Sequence, residues 1–167
     1  MKKRFLLLSA AFIFIIAVLY ADSSPQQKLP HFYDSVPDKE LALSIIKNMT
    51  DEELLAQAFM FGWTGQIPGD LIIKWVEESG LGSIKIFGWN TKDSRKLAEA
   101  VLTLQKKAAK GRFGIPLFVA TDQEGGWVRH VKGLTSETPG NLAIGASGLP
   151  QDAYYSGYYI SKELGAL

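Results

Sequence analysis

Apolar positions from residue 38 onward recur first at helical spacing. Leu41, Ile45 and Met49 lie four apart, and Thr50 followed by Glu53 is a capping-box pair that starts a second helical turn. That turn is expected to run into residues 56–62, AQAFMFG, the first strand candidate. Pro68, in a first-turn position beside Asp70, opens the next helix. Its apolar stripe pairs Leu71 with Trp75 and Ile72 with Val76, which puts Trp75 in the core, and Gly80 ends it. Residues 83–87, SIKIF, form the second strand, followed by a loop over 88–91. Lys85 interrupts this strand and suits a barrel interior or a mouth-side salt bridge equally. Leu97, Val101, Leu104 and Ala108 mark a longer amphipathic helix, closed by Lys106, Lys107, Lys110 and Gly111. Residues 115–121 are the third strand, an unbroken apolar run of the kind that is covered on both faces. A long loop follows. After Pro150 a last helix sets Ala153, Gly157, Ile160 and Leu164 on one side, and its Tyr154, Tyr155, Tyr158 and Tyr159 are expected to pack.

Strands alternating with helices of this length imply parallel βα units joined by right-handed crossovers. Three such strands leave edges that soluble proteins avoid, so residues 38–167 are expected to be the first part of a larger α/β domain. At 167 residues the chain is short for a closed eight-stranded α/β barrel, which takes about 250. Ligands in these folds sit beyond the carboxyl ends of the strands, which singles out Asp122 and Glu124, at the end of the third strand.

Composition narrows the chemistry. There are no cysteines, which excludes disulfides, thiolate catalysis and cysteine-ligated zinc. A net charge of +1 gives no indication of nucleic-acid binding. Lys2, Lys3 and Arg4 precede an apolar run over residues 5–21 that closes at Ala21 before Asp22, Ser23 and Ser24, the pattern of a secretory signal peptide. Left uncleaved, residues 5–21 approach the roughly 17–25 apolar residues of a membrane span and would serve as a tether. Loss of residues 1–21 removes three positive charges and no acid, turning +1 into −2. The expected location is therefore outside the cytoplasm, in the periplasm or beyond. Residues 22–37, carrying Pro25, Pro30 and Pro37, read as a linker in which His31 has no expected role.

The stretch GIPLFVATDQEGGWVRH, followed by a threonine-containing turn and PGNLAIGAS, resembles the amino-terminal domain of family 3 glycoside hydrolases, in the branch that holds bacterial β-N-acetylhexosaminidases. MTDEELLAQAFMFGW is similar to that family's opening helix and first strand, GLGSIKIFGWN to its second strand, and YYSGYYISKELGAL to the helix after the third. The resemblance covers roughly residues 38–167 in the family's order. It implies an α/β fold comprising the first three βα units of a TIM-type (β/α)8 barrel, incomplete here and preceded by the signal peptide. It also implies cleavage of terminal β-linked sugars with retention of configuration.

By that resemblance Asp122 binds hydroxyls of the innermost sugar through charge-assisted hydrogen bonds. The hexosaminidase branch places an arginine eight positions after this aspartate; His130 occupies that place here and Arg129 precedes it, so the resemblance carries the contact to either. Trp127 and Trp89 could each stack on a sugar or pack over the barrel mouth. Glu124 is expected to brace the loop by bonding backbone amides, together with Gly125 and Gly126. Two other readings stay open from the residues alone: Asp122 and Glu124 as an acid pair, and Asp122, Glu124 and His130 as a metal site.

Family members carry a lysine–histidine pair, an acid/base residue and a nucleophilic aspartate on loops of later strands. A retaining glycosidase needs two groups about 5 Å apart across the scissile bond. No catalytic residue is therefore expected within this chain. The parent is expected to release terminal β-linked N-acetylhexosamine from a carbohydrate substrate without a cofactor. A β-glucosidase of the same family and a noncatalytic sugar-binding or inert remnant are the alternatives. Nothing in the sequence fixes the oligomeric state.

Overall fold

The computed structural model describes residues 28–133 and 135–167; the expected signal peptide and the first part of the linker lie outside them. In chain order the elements are α1 (Asp38–Asn48), α2 (Asp51–Gln57), β1 (Met60–Phe61), α3 (Asp70–Glu78), β2 (Ser83–Ile86), a 3-10 turn (Gly88–Asn90), α4 (Ser94–Ala108), β3 (Phe118–Thr121), β4 (Gln123–Gly125), β5 (Val128–Arg129), α5 (Asn141–Ser147) and α6 (Pro150–Leu164).

The break between α1 and α2 is written in the cap. The Thr50 amide donates to the Glu53 carboxylate at 2.9 Å and the Glu53 amide donates to Thr50 Oγ1 at 3.2 Å, so two orphan donors are satisfied reciprocally. β1, β2 and β3 lie side by side in that order, all parallel, with Met60 opposite Ser83 and Lys85 opposite Ala120. Parallel neighbours require crossovers, and α3 and α4 supply them. Strand alternation sends Ile84 and Ile86 into the core with Ile72, Val76, Leu97, Leu104 and Leu117, and turns Ser83 and Lys85 to the opposite face.

Several expectations change. The first strand does not span 56–62: α2 runs through Gln57, and only Met60 and Phe61 pair with β2. α3 starts at Asp70 with Gly69 as its cap, so Pro68 precedes the helix instead of opening its first turn. Its stripe is split: Ile72 and Val76 are buried, while Leu71 and Trp75 lie exposed on the open side of β1, Trp75 standing edge-on to Phe61 at 5.1 Å. β3 is four residues long and, among the described residues, is an edge of the sheet not buried on both faces; Phe118 is 78% exposed. The expected long loop contains the antiparallel hairpin β4–β5 and the short helix α5. The four tyrosines of α6 are exposed and stack on one another in two rows, Tyr154 with Tyr158 and Tyr155 with Tyr159. Only its end, through Leu164, reaches the core.

The linker is also more than a spacer. Phe32 donates its amide to the Phe113 carbonyl at 2.7 Å. The His31 ring occupies the space above Gly114, where an added Cβ would come within 2.1 Å of Nε2. Arg112, beside this contact, holds Glu53 at 2.8 and 3.0 Å and the Asn48 carbonyl at 3.1 Å, so the segment is laid on the end of the sheet where β3 begins. Among the described residues no helix is long and apolar enough to cross a membrane.

Candidate functional site

At the carboxyl ends of the three strands, the segments leaving β1, β2 and β3 are knitted together by buried polar groups. Asn90, fully buried in the turn after β2, donates through Nδ2 to the Trp63 carbonyl at 3.0 Å and the Gly65 carbonyl at 2.5 Å, and accepts from the Phe87 amide at 2.8 Å. Trp89 donates through Nε1 to the same Trp63 carbonyl at 2.8 Å, which lays its ring on Phe87 with centroids 4.6 Å apart and planes 19° apart. Thr91 closes the ring of contacts by donating Oγ1 to the His130 carbonyl at 2.5 Å.

Asp122 directly follows β3 and stands beside this frame. Lys85, pointing away from the core, places Nζ 2.7 Å from Asp122 Oδ1, and His130 Nε2 lies 3.6 Å from Oδ2. The Lys85 hydrogen bond is the main cause that holds the Asp122 carboxyl below the usual carboxylate range; the charges of Lys85 and His130 add to it and desolvation opposes it. The side chain of Asp122 remains 44% exposed, so an ionised acid with room for a ligand stands at the strand end. Phe87 ties the group together, with Lys85 Nζ 5.6 Å from its ring centre and His130 edge-on at 5.8 Å. Flat rings can stack on the apolar face of a cyclic ligand while the anchored carboxylate beside them accepts hydrogen bonds from its hydroxyls.

His130 is delivered by the hairpin β4–β5. The His130 amide donates to the Asp122 carbonyl at 3.2 Å, and Gln123 clamps Val131 in both directions at 2.8 and 2.9 Å. The hairpin turns through Gly125 and Gly126, at φ +85° and +55°. Gly125 lies so close to the 138–139 segment that a Cβ would come within 2.5 Å of Pro139 O and Thr138 Oγ1.

The structure thus brings Asp122 and His130 together and sends Arg129 elsewhere. Arg129, with its side chain only 12% exposed, donates to the Ser136 carbonyl at 3.1 Å and pairs with Glu137. It holds the 135–137 loop and does not approach Asp122. The Glu137 carboxyl is in turn lowered below its ordinary range by the hydrogen bond from Arg129. Glu124 is exposed, and among the described residues its carboxylate bonds no backbone amide; Gln123 does the bracing expected of it. Trp127 at the hairpin tip is fully exposed and covers nothing, whereas Trp89 is half-exposed and stacks on Phe87. Asp122 is paired to Lys85, and among the described residues no contact joins its carboxylate to that of Glu124. Among the described residues no three His, Cys, Asp or Glu side chains come together as metal ligands.

Residues 51–167 match the family model described as the glycosyl hydrolase family 3 N terminal domain. Among solved structures the chain is similar to a glycoside hydrolase family 3 β-N-acetylglucosaminidase from Paenibacillus sp. str. FPU-7, with TM-score 0.67 and 32% identity over 71% of this chain and 22% of that one. It is also similar to a fungal multi-domain family 3 β-N-acetylglucosaminidase with a GCN5-related glucosamine N-acetyltransferase region, with TM-score 0.55 and 34% identity over 58% of this chain and 12% of that one. A third is a β-N-acetylhexosaminidase from Beutenbergia cavernae DSM 12333, with TM-score 0.52 and 29% identity over 59% of this chain and 30% of that one. The chain thus spans about a fifth of the length of the first of these structures. No curated protein matches it.

Proposed function

This chain belongs to glycosyl hydrolase family 3, and we propose that it forms the sugar-binding rim of an enzyme that releases terminal β-linked N-acetylhexosamine with retention of configuration. β1, β2 and β3 are the first strands of a (β/α)8 barrel, and their carboxyl ends are its mouth. The observation that carries this reading is the half-exposed, Lys85-paired carboxylate of Asp122 at the end of β3, beside the rings of Phe87 and His130, with Trp89 stacked on Phe87. In the bound state one Asp122 oxygen accepts from sugar hydroxyls while the ring face of Trp89 or Phe87 covers the C–H face of the pyranose. The attacking carboxylate and the acid/base group come from outside this chain. The three similar structures are described as N-acetylglucosaminidases or a hexosaminidase, which favours an N-acetylated sugar over glucose.

Titration of the chain with N-acetylglucosamine and with glucose, followed by Trp fluorescence and NMR shifts at Asp122, tests the reading. Saturable binding of N-acetylglucosamine in preference to glucose is expected, without turnover of a chromogenic N-acetyl-β-glucosaminide. Absence of binding by either sugar sinks it; steady turnover would mean that the catalytic pair lies within these residues after all. In the same reading residues 1–21 direct export, so the amino terminus of the secreted product is expected at Asp22. A product recovered from the membrane with residues 5–21 intact would make that segment a tether instead.

A further inference from the structure

Lys85 is the odd residue of β2. Its neighbours Ile84 and Ile86 are buried in the core, and an ammonium on a short central strand gives up hydration that an apolar side chain would not have needed. Nothing in the folding of the sheet requires it, since the register with β3 is set by backbone pairing from Ser83 to Ile86. Its Nζ instead crosses to the residue that follows β3 and meets Asp122 Oδ1 at 2.7 Å, while Phe87 supplies a ring face at 5.6 Å. The second Asp122 oxygen is only loosely approached, by His130 Nε2 at 3.6 Å, which is longer than a hydrogen bond. The pair is therefore asymmetric: one oxygen anchored, the other available.

We infer that Lys85 is a positioning residue, which fixes the Asp122 carboxylate by one oxygen so that the other is presented, beside the Phe87 and His130 rings, to a hydroxyl of the sugar. This rests on the reading of Asp122 as a sugar-binding carboxylate. Lys85 does not itself form an anion site, because its charge is already compensated by Asp122.

The test compares wild type, Lys85→Met and Lys85→Arg in the chain, with two readouts: affinity for N-acetylglucosamine, and the pH midpoint of the Asp122 side-chain carboxyl followed by carbon NMR without sugar. Lys85→Met keeps the length of the stem, and is expected to weaken binding about tenfold, the loss of one charge-assisted contact, while the Asp122 midpoint rises toward the usual carboxylate range. Lys85→Arg keeps a donor and the charge, and is expected to return affinity to within about threefold of wild type with the midpoint low. Sugar affinity unchanged in Lys85→Met overturns the inference. Equal losses in both variants with an unmoved midpoint also overturn it, by reducing Lys85 to a structural role. A wild-type chain that binds neither sugar, with the midpoint still rising in Lys85→Met, removes the proposed function and leaves Lys85 as the group that holds Asp122.

Discussion

Replacing Asp122 by Asn is expected to lower the affinity for N-acetylglucosamine about 100-fold, the worth of roughly two hydrogen bonds to a charged acceptor, with the fold intact. The substitution is nearly isosteric, so no cavity opens. What changes is the electrostatics at the strand end. An amide presents one oxygen where the carboxylate presented two, and its NH2 group is a donor that cannot face the Lys85 ammonium 2.7 Å from Oδ1. The oxygen must turn to Lys85, and the NH2 group then meets the ligand, so a site built to accept two hydrogen bonds from hydroxyls accepts none on that side. The variant also separates charge from shape by its pH dependence. The Asp122 carboxyl is lowered by Lys85, so its ionised form is present at neutral pH and is lost only as pH falls through a midpoint below the ordinary one. The difference between wild type and Asp122→Asn is therefore expected to persist from neutral pH down through the ordinary carboxylate range and to collapse only below it. Isothermal titration at a series of pH values reads both quantities. Equal affinities at neutral pH would remove Asp122 from the site.

The elements that carry strong local signals could be read from the sequence: the Thr50–Glu53 cap, the Gly80 stop after α3, and α4 with its closing lysines. So could the parallel order of the strands, which follows from alternation with helices. What could not be read depends on register or on neighbours. The apolar run before Asp122 signals a strand buried on both faces, but β3 is an edge among the described residues, and its burial depends on what lies beside it. The hairpin β4–β5 is hidden by its brevity, although the Gly125–Gly126 pair, between Glu124 and Trp127, is a hairpin signal that could have exposed it. The separation of Arg129 from His130 was hidden as well, since it depends on the pairing of Arg129 with Glu137 and not on the spacing from Asp122. At the site, Asp122 was legible because a carboxylate at the end of an apolar run has few structural uses. Its partner was not: Lys85 stands 37 positions earlier, and only strand register brings the two together. Asn90 and Gln123 look like ordinary loop polar residues until the carbonyls and amides they satisfy are known.

Two neighbouring glycines sharpen the same distinction and give the largest expected stability effect. Gly82 is buried at the start of β2, donating its amide to the Ala56 carbonyl at 3.0 Å and accepting from the Phe118 amide at 3.0 Å. Its φ is not in the left-handed region, so backbone conformation does not demand glycine there. Space does: a Cβ would lie 2.2 Å from the Gln57 carbonyl oxygen and 2.8 Å from the carbonyl carbon and Cα of the same residue. All three are backbone atoms at the end of α2, and Gln57 is itself held by its Nε2 bond to the Gly80 carbonyl at 2.7 Å. Relief requires moving α2 off the sheet or β2 out of register with β3, so Gly82→Ala is expected to cost about 3 kcal/mol or more, the upper end for overpacking. Gly80, two residues earlier, has the opposite constraint, with open space around it but φ at +70° as the stop of α3. Gly80→Ala is therefore expected to cost only about 1–2 kcal/mol, the left-handed penalty of a non-glycine residue. Urea unfolding followed by circular dichroism gives both values. The tight helix-to-sheet junction, which aims β2 and hence Lys85 at Asp122, would be disproved if Gly82→Ala proved as mild as Gly80→Ala. In the expected outcome Gly82→Ala also disturbs the Asp122 NMR signal, because the residue that anchors that carboxylate is carried by the displaced strand.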